Sequence, residues 1–184
     1  MQLILGLLVA AKITIRLVDF GDVAPRTLAA AEEIAGHVLE TAGVEVTWLK
    51  CPGPSDCRGE PAEGEFRLLL LNLRPPQPRG DRMGFAVVPS DPRARYAGVF
   101  YPMVEDAARN LDADPSHLLG AGMAHEIGHL LLGSQSHSRA GIMSPTFRQE
   151  HVRLAARGEL LFNPDQARRI KSRLGPRVTT RLHR

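Results

Sequence analysis

His125-Glu126-Ile127-Gly128-His129 runs on through Leu130-Leu131-Leu132-Gly133-Ser134-Gln135-Ser136-His137 to Gly141-Ile142-Met143-Ser144-Pro145, and this stretch decides how the chain is read. Two histidines four positions apart on a helix sit about 40° apart around the axis and roughly 6 Å along it, so both imidazoles can face one metal ion. Glu126 follows the first histidine and can reach a water held by that ion. Residues 116–132 are apolar on nearly every side except at a few polar positions. A helix apolar all round is a buried helix, and ionisable groups inside it are costly unless paired or metal-bound. Core histidines satisfied by neighbouring backbone are the bland alternative. The clustering of His125, Glu126 and His129 favours a metal site over it.

The chain has 184 residues, 43% apolar and 23% charged, with a net charge of +3. That suits one globular domain with a full core. Aromatic residues make up 5%, too few for a base-stacking surface, so nucleic acid is not an expected partner. Arg168, Arg169, Lys171, Arg173, Arg177, Arg181 and Arg184 gather at the C-terminus and read as a solvated helix face followed by a basic tail over 176–184. Leu3 to Ala11 is an apolar run ending in Val9-Ala10-Ala11, too short to span a membrane and lacking a basic lead. It reads as a remnant of a signal peptide over 1–11 or as part of the first strand. Cys51 and Cys57 bracket a turn-rich loop. A local disulfide would fit an exported protein and free thiols a cytosolic one. Secretion or a periplasmic location is the expectation, as a monomer without a membrane span.

The order of elements predicts an α/β fold in a single domain over 12–175. Lys12–Asp19 alternates and is β-branched, as a strand should be. Pro25 opens a helix whose apolar positions recur from Leu28 to Ala42 and which Gly43 stops; His37 within it reads as solvated. Val44–Leu49 is a second strand, parallel to the first. Glu65–Leu73 is a third, with Leu68–Leu71 suited to burial on both faces. Arg74 to Gly80 is a proline-rich connector. Gly84–Val88 is a short strand stopped by Pro89 and therefore at an edge, and Ala97–Tyr101 is a fifth strand. Asp114-Pro115 caps the motif helix. Thr146 with Gln149 reads as a capping box for a helix to about Arg157, and Asn163-Pro164-Asp165-Gln166 starts the last helix, closed by Gly175-Pro176.

A catalytic zinc site has three protein ligands and an open position for water. His125 and His129 supply two, and Gly133 can reverse the chain so that His137 returns as the third. Zn2+ suits such a histidine set, although other divalent ions bind imidazole. The residues His125, Glu126, His129, Gly133, His137 and Met143 resemble the signature of the metzincin metallopeptidases, HExxHxxGxxH followed by a methionine turn. The upstream order of strands and helix also resembles the metzincin N-terminal subdomain, a mostly parallel twisted sheet with one antiparallel edge strand. The resemblance implies a zinc-dependent endopeptidase acting on peptide or protein substrates, with Glu126 as general base. It implies Met143 as a hydrophobic floor, Gly84–Val88 as the strand that pairs with substrate, and the segment after Met143 as a wall of the pocket beyond the cut. In the signature, glycine and third histidine follow the second histidine by three and six positions, whereas here the gaps are four and eight. Glu150 is the rival third ligand. It lies 21 positions after His129, a separation similar to that in the gluzincins, and His151 stands beside it. His117 reads as a surface residue or a neighbour of the ligands. A zinc-binding module without turnover is the alternative of another class, and Glu126 speaks against it. As a floor and not a ligand, Met143 should be replaceable: Met143→Leu is expected to keep the zinc content of the parent protein, measured by elemental analysis of the purified protein.

Overall fold

The structure is a computed structural model that describes residues 10–51, 57, 59, 61–75, 82–88, 95–133 and 135–175. The expected signal remnant, apart from Ala10 and Ala11, and the tail 176–184 lie outside them, as do Pro89 and most of the proline-rich connector.

Five strands form one sheet in the order β2-β1-β3-β5-β4. These are β1 (Ala11–Phe20), β2 (Val44–Cys51), β3 (Glu65–Leu71), β4 (Gly84–Val87) and β5 (Tyr96–Phe100). β1 pairs in parallel with both β2 and β3, β3 pairs in parallel with β5, and β4 closes the sheet antiparallel to β5. The architecture is α/β, with one antiparallel strand at the edge. The helix α1 (Pro25–Thr41) connects β1 to β2 and presents Leu28, Ala31, Ala35, Val38 and Leu39 to the core. Ile13, Ile15 and Leu17 of β1 and Phe66, Leu68 and Leu70 of β3 are buried at alternate positions, as a strand with one covered face requires.

Among the described residues, the other face of the sheet is only partly covered. Leu69 and Leu71 are half-buried, so β3 is not enclosed on both sides as its leucine run suggests. Leu69 packs instead against Val18, Cys51 and Cys57. Cys51 and Cys57 are joined by a disulfide with Cα atoms 5.9 Å apart. Arg67 donates to Cys57 O at 3.0 Å and Gly59 O at 3.1 Å, and Arg16 donates to Gly59 O at 3.0 Å, which ties the loop to the sheet.

Four further helices follow in the second half among the described residues. Tyr101, read as the end of the fifth strand, opens a helix α2 (Tyr101–Asn110) that the strand signal obscured. Its cues are present in retrospect: Pro102 lies in the first turn, and Val104 and Ala108 are buried one turn apart. The motif helix α3 (Pro115–Leu132) starts at Asp114, whose side chain accepts from Ser116 N–H at 2.8 Å. All of α3 except Pro115 and His117 is buried. Leu118, Leu119, Met123, Ile127 and Leu130 are at most 1% exposed, and each such side chain favours folding by about 1.5–3 kcal/mol on transfer from water. The helices α4 (Gln149–Ala156) and α5 (Pro164–Leu174) complete the layer. The start of α4 differs from the expected Thr146–Gln149 box. Its N-cap is Arg148, whose backbone N–H donates to His151 Nδ1 at 3.1 Å, so the imidazole three positions on fills the role expected of Gln149.

α3 crosses α1 closely because Gly120 faces it. A Cβ at Gly120 would lie 2.7 Å from Ile34 Cβ and 2.8 Å from Ala31 O, contacts that no rotamer change relieves at the backbone oxygen. Gly120→Ala would gain helix propensity of about 1 kcal/mol, but overpacking costs about 1–3 kcal/mol and more where backbone must move. The expected outcome is a net loss of stability, read as a lower urea midpoint at unchanged slope.

Candidate metal centre

The site forms where the C-terminal half of α3 meets the loop that follows it. Gly133 ends α3 with φ 96° and ψ 167°, a conformation that side chains disfavour, and its N–H bonds back to His129 O at 2.8 Å. The chain then doubles back, bringing His137 beside the two helical histidines. The ligand atoms of His125, His129 and His137 lie within 4.8 Å of one another. His129 Nε2 is 3.1 Å from His125 Nε2 and 3.1 Å from His137 Nε2. His125 and His129 are buried, and His137 is exposed at the mouth of the site.

The hydrogen-bond partners decide which nitrogen faces inward. His125 Nδ1 is 2.8 Å from the carbonyl of Ile142, which can only accept, so Nδ1 carries the proton. Ser136 Oγ donates to Gly133 O at 2.7 Å and therefore accepts from His129 Nδ1–H at 2.9 Å. In their neutral forms both rings then turn an unprotonated Nε2 toward the other, a 3.1 Å contact that no hydrogen bridges. Such an arrangement is repulsive on its own and becomes favourable around a cation. Four-coordinate zinc with Zn–N of about 2.0–2.1 Å spaces its donors about 3.3–3.4 Å apart. The two 3.1 Å edges are close to that spacing, and the nitrogen donor set suits Zn2+.

At the two helical histidines, burial and neighbouring charge act in the same direction. Burial pushes His125 down to about 4, with His129 and His137 nearby lowering it further and the bond to Ile142 opposing the shift. Burial also lowers His129, against the bond to Gly133 O. Both rings are thereby kept neutral, the state in which imidazole binds metal. Burial raises Glu126 to about 8, partly opposed by the positive charge of Arg82. Glu126 is 6% exposed, and its Oε2 has no hydrogen-bond partner among the described residues. A buried carboxylate oxygen without a partner, next to three imidazoles, is the orphaned atom that a metal and its water would satisfy.

Glu126 is held against the edge strand. A Cβ at Gly84 would meet Glu126 Oε1 at 2.6 Å and Gly98 O at 2.6 Å, so only glycine lets β4 approach this closely. Below the histidines, Met143 is fully buried, and a Cβ at Gly128 would fall 2.5 Å from its sulfur. Met143 thus packs on α3 at Gly128, a position that lies between His125 and His129 in sequence. Its turn is fixed by Ile142 N–H to Leu161 O at 2.9 Å and Ser138 N–H to Met143 O at 2.9 Å. A cleft of about 820 Å³ lies over the site, walled by Arg82–Ala86 on one side and Ser144–Phe147 on the other. Phe147 meets His125 edge-on at 5.9 Å and stacks on His151 at 5.9 Å.

Other candidates stand elsewhere. Glu150 does not join the histidine group. Its side chain is 70% exposed on α4, 3.9 Å from His151 Nδ1. The His151 ring nitrogen is occupied by the α4 cap. His117 lies at the far end of α3, outside the group, and His37 bonds to Gly158 O at 3.1 Å. Sequence reasoning missed the role of Ser136, which orients His129 from the loop, and the approach of Gly84 and Arg82 to Glu126, which is made from β4 and the residues just before it, far along the chain.

No family model matches the chain, and no curated protein matches it significantly. Its fold is shared with solved zinc-peptidase structures. Archaemetzincin from Methanopyrus kandleri superposes with a TM-score of 0.58 at 19% identity, over 90% of this chain and 97% of that one. A zinc-dependent peptidase from Methanocorpusculum labreanum gives 0.55 at 17%, over 85% and 99%. Metalloproteinase-II from Bacteroides fragilis gives 0.52 at 15%, over 89% of this chain and 53% of that one. At these identities the likeness is one of fold.

The raised pKa of Glu126 has a measurable consequence in metal-free protein. Between the ordinary carboxylate value and about 8, the folded state binds a proton that the unfolded state has released. Stability from this group is therefore full at low pH and is lost as pH rises through about 8. Glu126→Gln, neutral at every pH, is expected to raise the unfolding temperature of chelator-treated protein more at pH 8 than at pH 5.

Proposed function

We propose that the protein is a zinc-dependent endopeptidase of metzincin type, in which His125, His129 and His137 hold the metal and Glu126 is the general base. The observation that carries this reading is the convergence of three imidazole nitrogens beside the unpartnered, buried Oε2 of Glu126. The fold shared with a zinc-dependent peptidase and an archaemetzincin supports it. Zinc held there would supply a Lewis acid for the scissile carbonyl and would acidify water to a pKa of about 7.

This chain's residues supply the rest. Glu126 takes the proton of the attacking water and passes it to the leaving amine. β4, the edge strand among the described residues, offers its outer side to an extended peptide, which adds to the sheet by main-chain hydrogen bonds. Phe147 and its neighbours wall the cleft beyond Met143 and select the residue that follows the cut. Met143 supports the histidines from below without binding metal. A module that merely binds zinc has no use for a buried carboxylate next to the open side of the site. The Cys51–Cys57 disulfide supports a secreted or periplasmic setting, where such bonds persist.

The test is hydrolysis of a mixed peptide library together with zinc content. Glu126→Gln is expected to keep the metal and lose about 10²–10⁴-fold in rate. His137→Ala should lose zinc affinity where Glu150→Ala keeps it. Full hydrolysis by Glu126→Gln, or loss of zinc in Glu150→Ala alone, would overturn the assignment.

A further inference from the structure

The loop that carries His137 is held by the last helix. Gln166 is 4% exposed, and its side chain is fully used. Oε1 accepts from Asn163 N–H at 3.1 Å, which closes the cap of α5. Nε2 donates to Ser136 O at 3.1 Å and to Ser138 Oγ at 3.2 Å. Those two acceptors flank His137 in the chain. The hydroxyl of Ser138 is free to accept because its own hydrogen goes to Ala140 O at 2.8 Å.

Ser136 carries the connection inward. Its hydroxyl donates to Gly133 O and accepts from His129 Nδ1–H, as described above. One residue therefore receives Gln166 on its carbonyl and orients a histidine with its side chain. α5 grips the end of α3 as well: Arg173 donates to Leu131 O at 3.0 Å and Arg169 to Leu132 O at 3.3 Å. These arginines satisfy carbonyls that the helix end leaves without partners. Arg169 and Arg173 are exposed, in keeping with a solvated face, while their guanidinium groups bond to α3.

We infer that Gln166, acting through Ser136, is a positioning residue of the metal site: it sets the backbone on both sides of His137 and the ring orientation of His129. The inference rests on the three-histidine reading above. It assigns a role in metal binding to α5, which supplies no ligand. Partners of ligand residues typically change metal affinity by about 10–100-fold when lost.

Gln166→Glu separates the two tasks of this side chain. A carboxylate still accepts from Asn163 N–H and keeps the cap, but it cannot donate to the carbonyl of Ser136. Zinc affinity is measured by competition with a chromophoric chelator, and the unfolding temperature is measured without metal. Gln166→Glu and Ser136→Ala are both expected to bind one zinc about 10–100-fold more weakly than the parent protein. Ser136→Ala should keep a metal-free unfolding temperature close to the parent's, whereas Gln166→Glu should lower it, because it buries a carboxylate facing the Ser136 carbonyl. Affinity within twofold of the parent in Gln166→Glu would overturn the positioning role. So would a loss of affinity in Ser136→Ala matched by an equal loss of metal-free stability. In either case zinc binding by the parent, abolished by His137→Ala, would leave the three-histidine site standing. A parent protein that takes up no zinc would overturn both.

Discussion

Two imidazole nitrogens with no hydrogen between them, 3.1 Å apart inside a buried helix, are the contact on which the rest of this structure turns. In water such lone pairs would separate or one would take a proton. Here neither route is open. The rings are locked by Ile142 and Ser136 at their other nitrogens, and burial opposes protonation. The structure therefore spends stability to hold a geometry that only a positive charge relieves. Groups kept in costly arrangements by an otherwise well-packed frame are a mark of functional sites.

The frame that does the holding is α3 and the glycines on it. Gly120 brings α1 close on one side and Gly128 receives Met143 on another, while Gly84 lets the edge strand press against Glu126 from a third. Each close approach replaces a side chain with a neighbouring element, so the helix is clamped from several directions. Rigidity of this kind is what a preorganised site needs, since small displacements of ligands or base are costly.

Much of this could be read in the linear sequence, and the reasons are local. The strands and helices of the first half follow from alternation and from capping residues, because their burial is one-sided and regular. The spacing of His125, Glu126 and His129 needs nothing beyond helix geometry. Met143 and the return of His137 follow from the resemblance together with the turn at Gly133. What escaped was non-local or overwritten. α2 begins at Tyr101 directly from the last strand, with no loop to mark the change of period. The leucines of β3 suggested two covered faces, but among the described residues Leu69 on the second face is only half-buried, against Val18, Cys51 and Cys57. Thr146 and Gln149 had the right letters for a cap, yet the chain bends two residues later and His151 serves instead. Gln166 was legible as a capping residue, and its second set of bonds depends on a loop 30 positions upstream.

That distance along the chain also orders events in time. The segment from His125 to Met143 is complete in sequence well before Asn163–Leu174 has been made. During synthesis, the loop carrying His137 thus exists for a while without the side chain that fixes it, and α3 ends in unanswered carbonyls. The loop around His137 therefore gains its hydrogen bonds to Gln166 only after the last helix has been made and has docked.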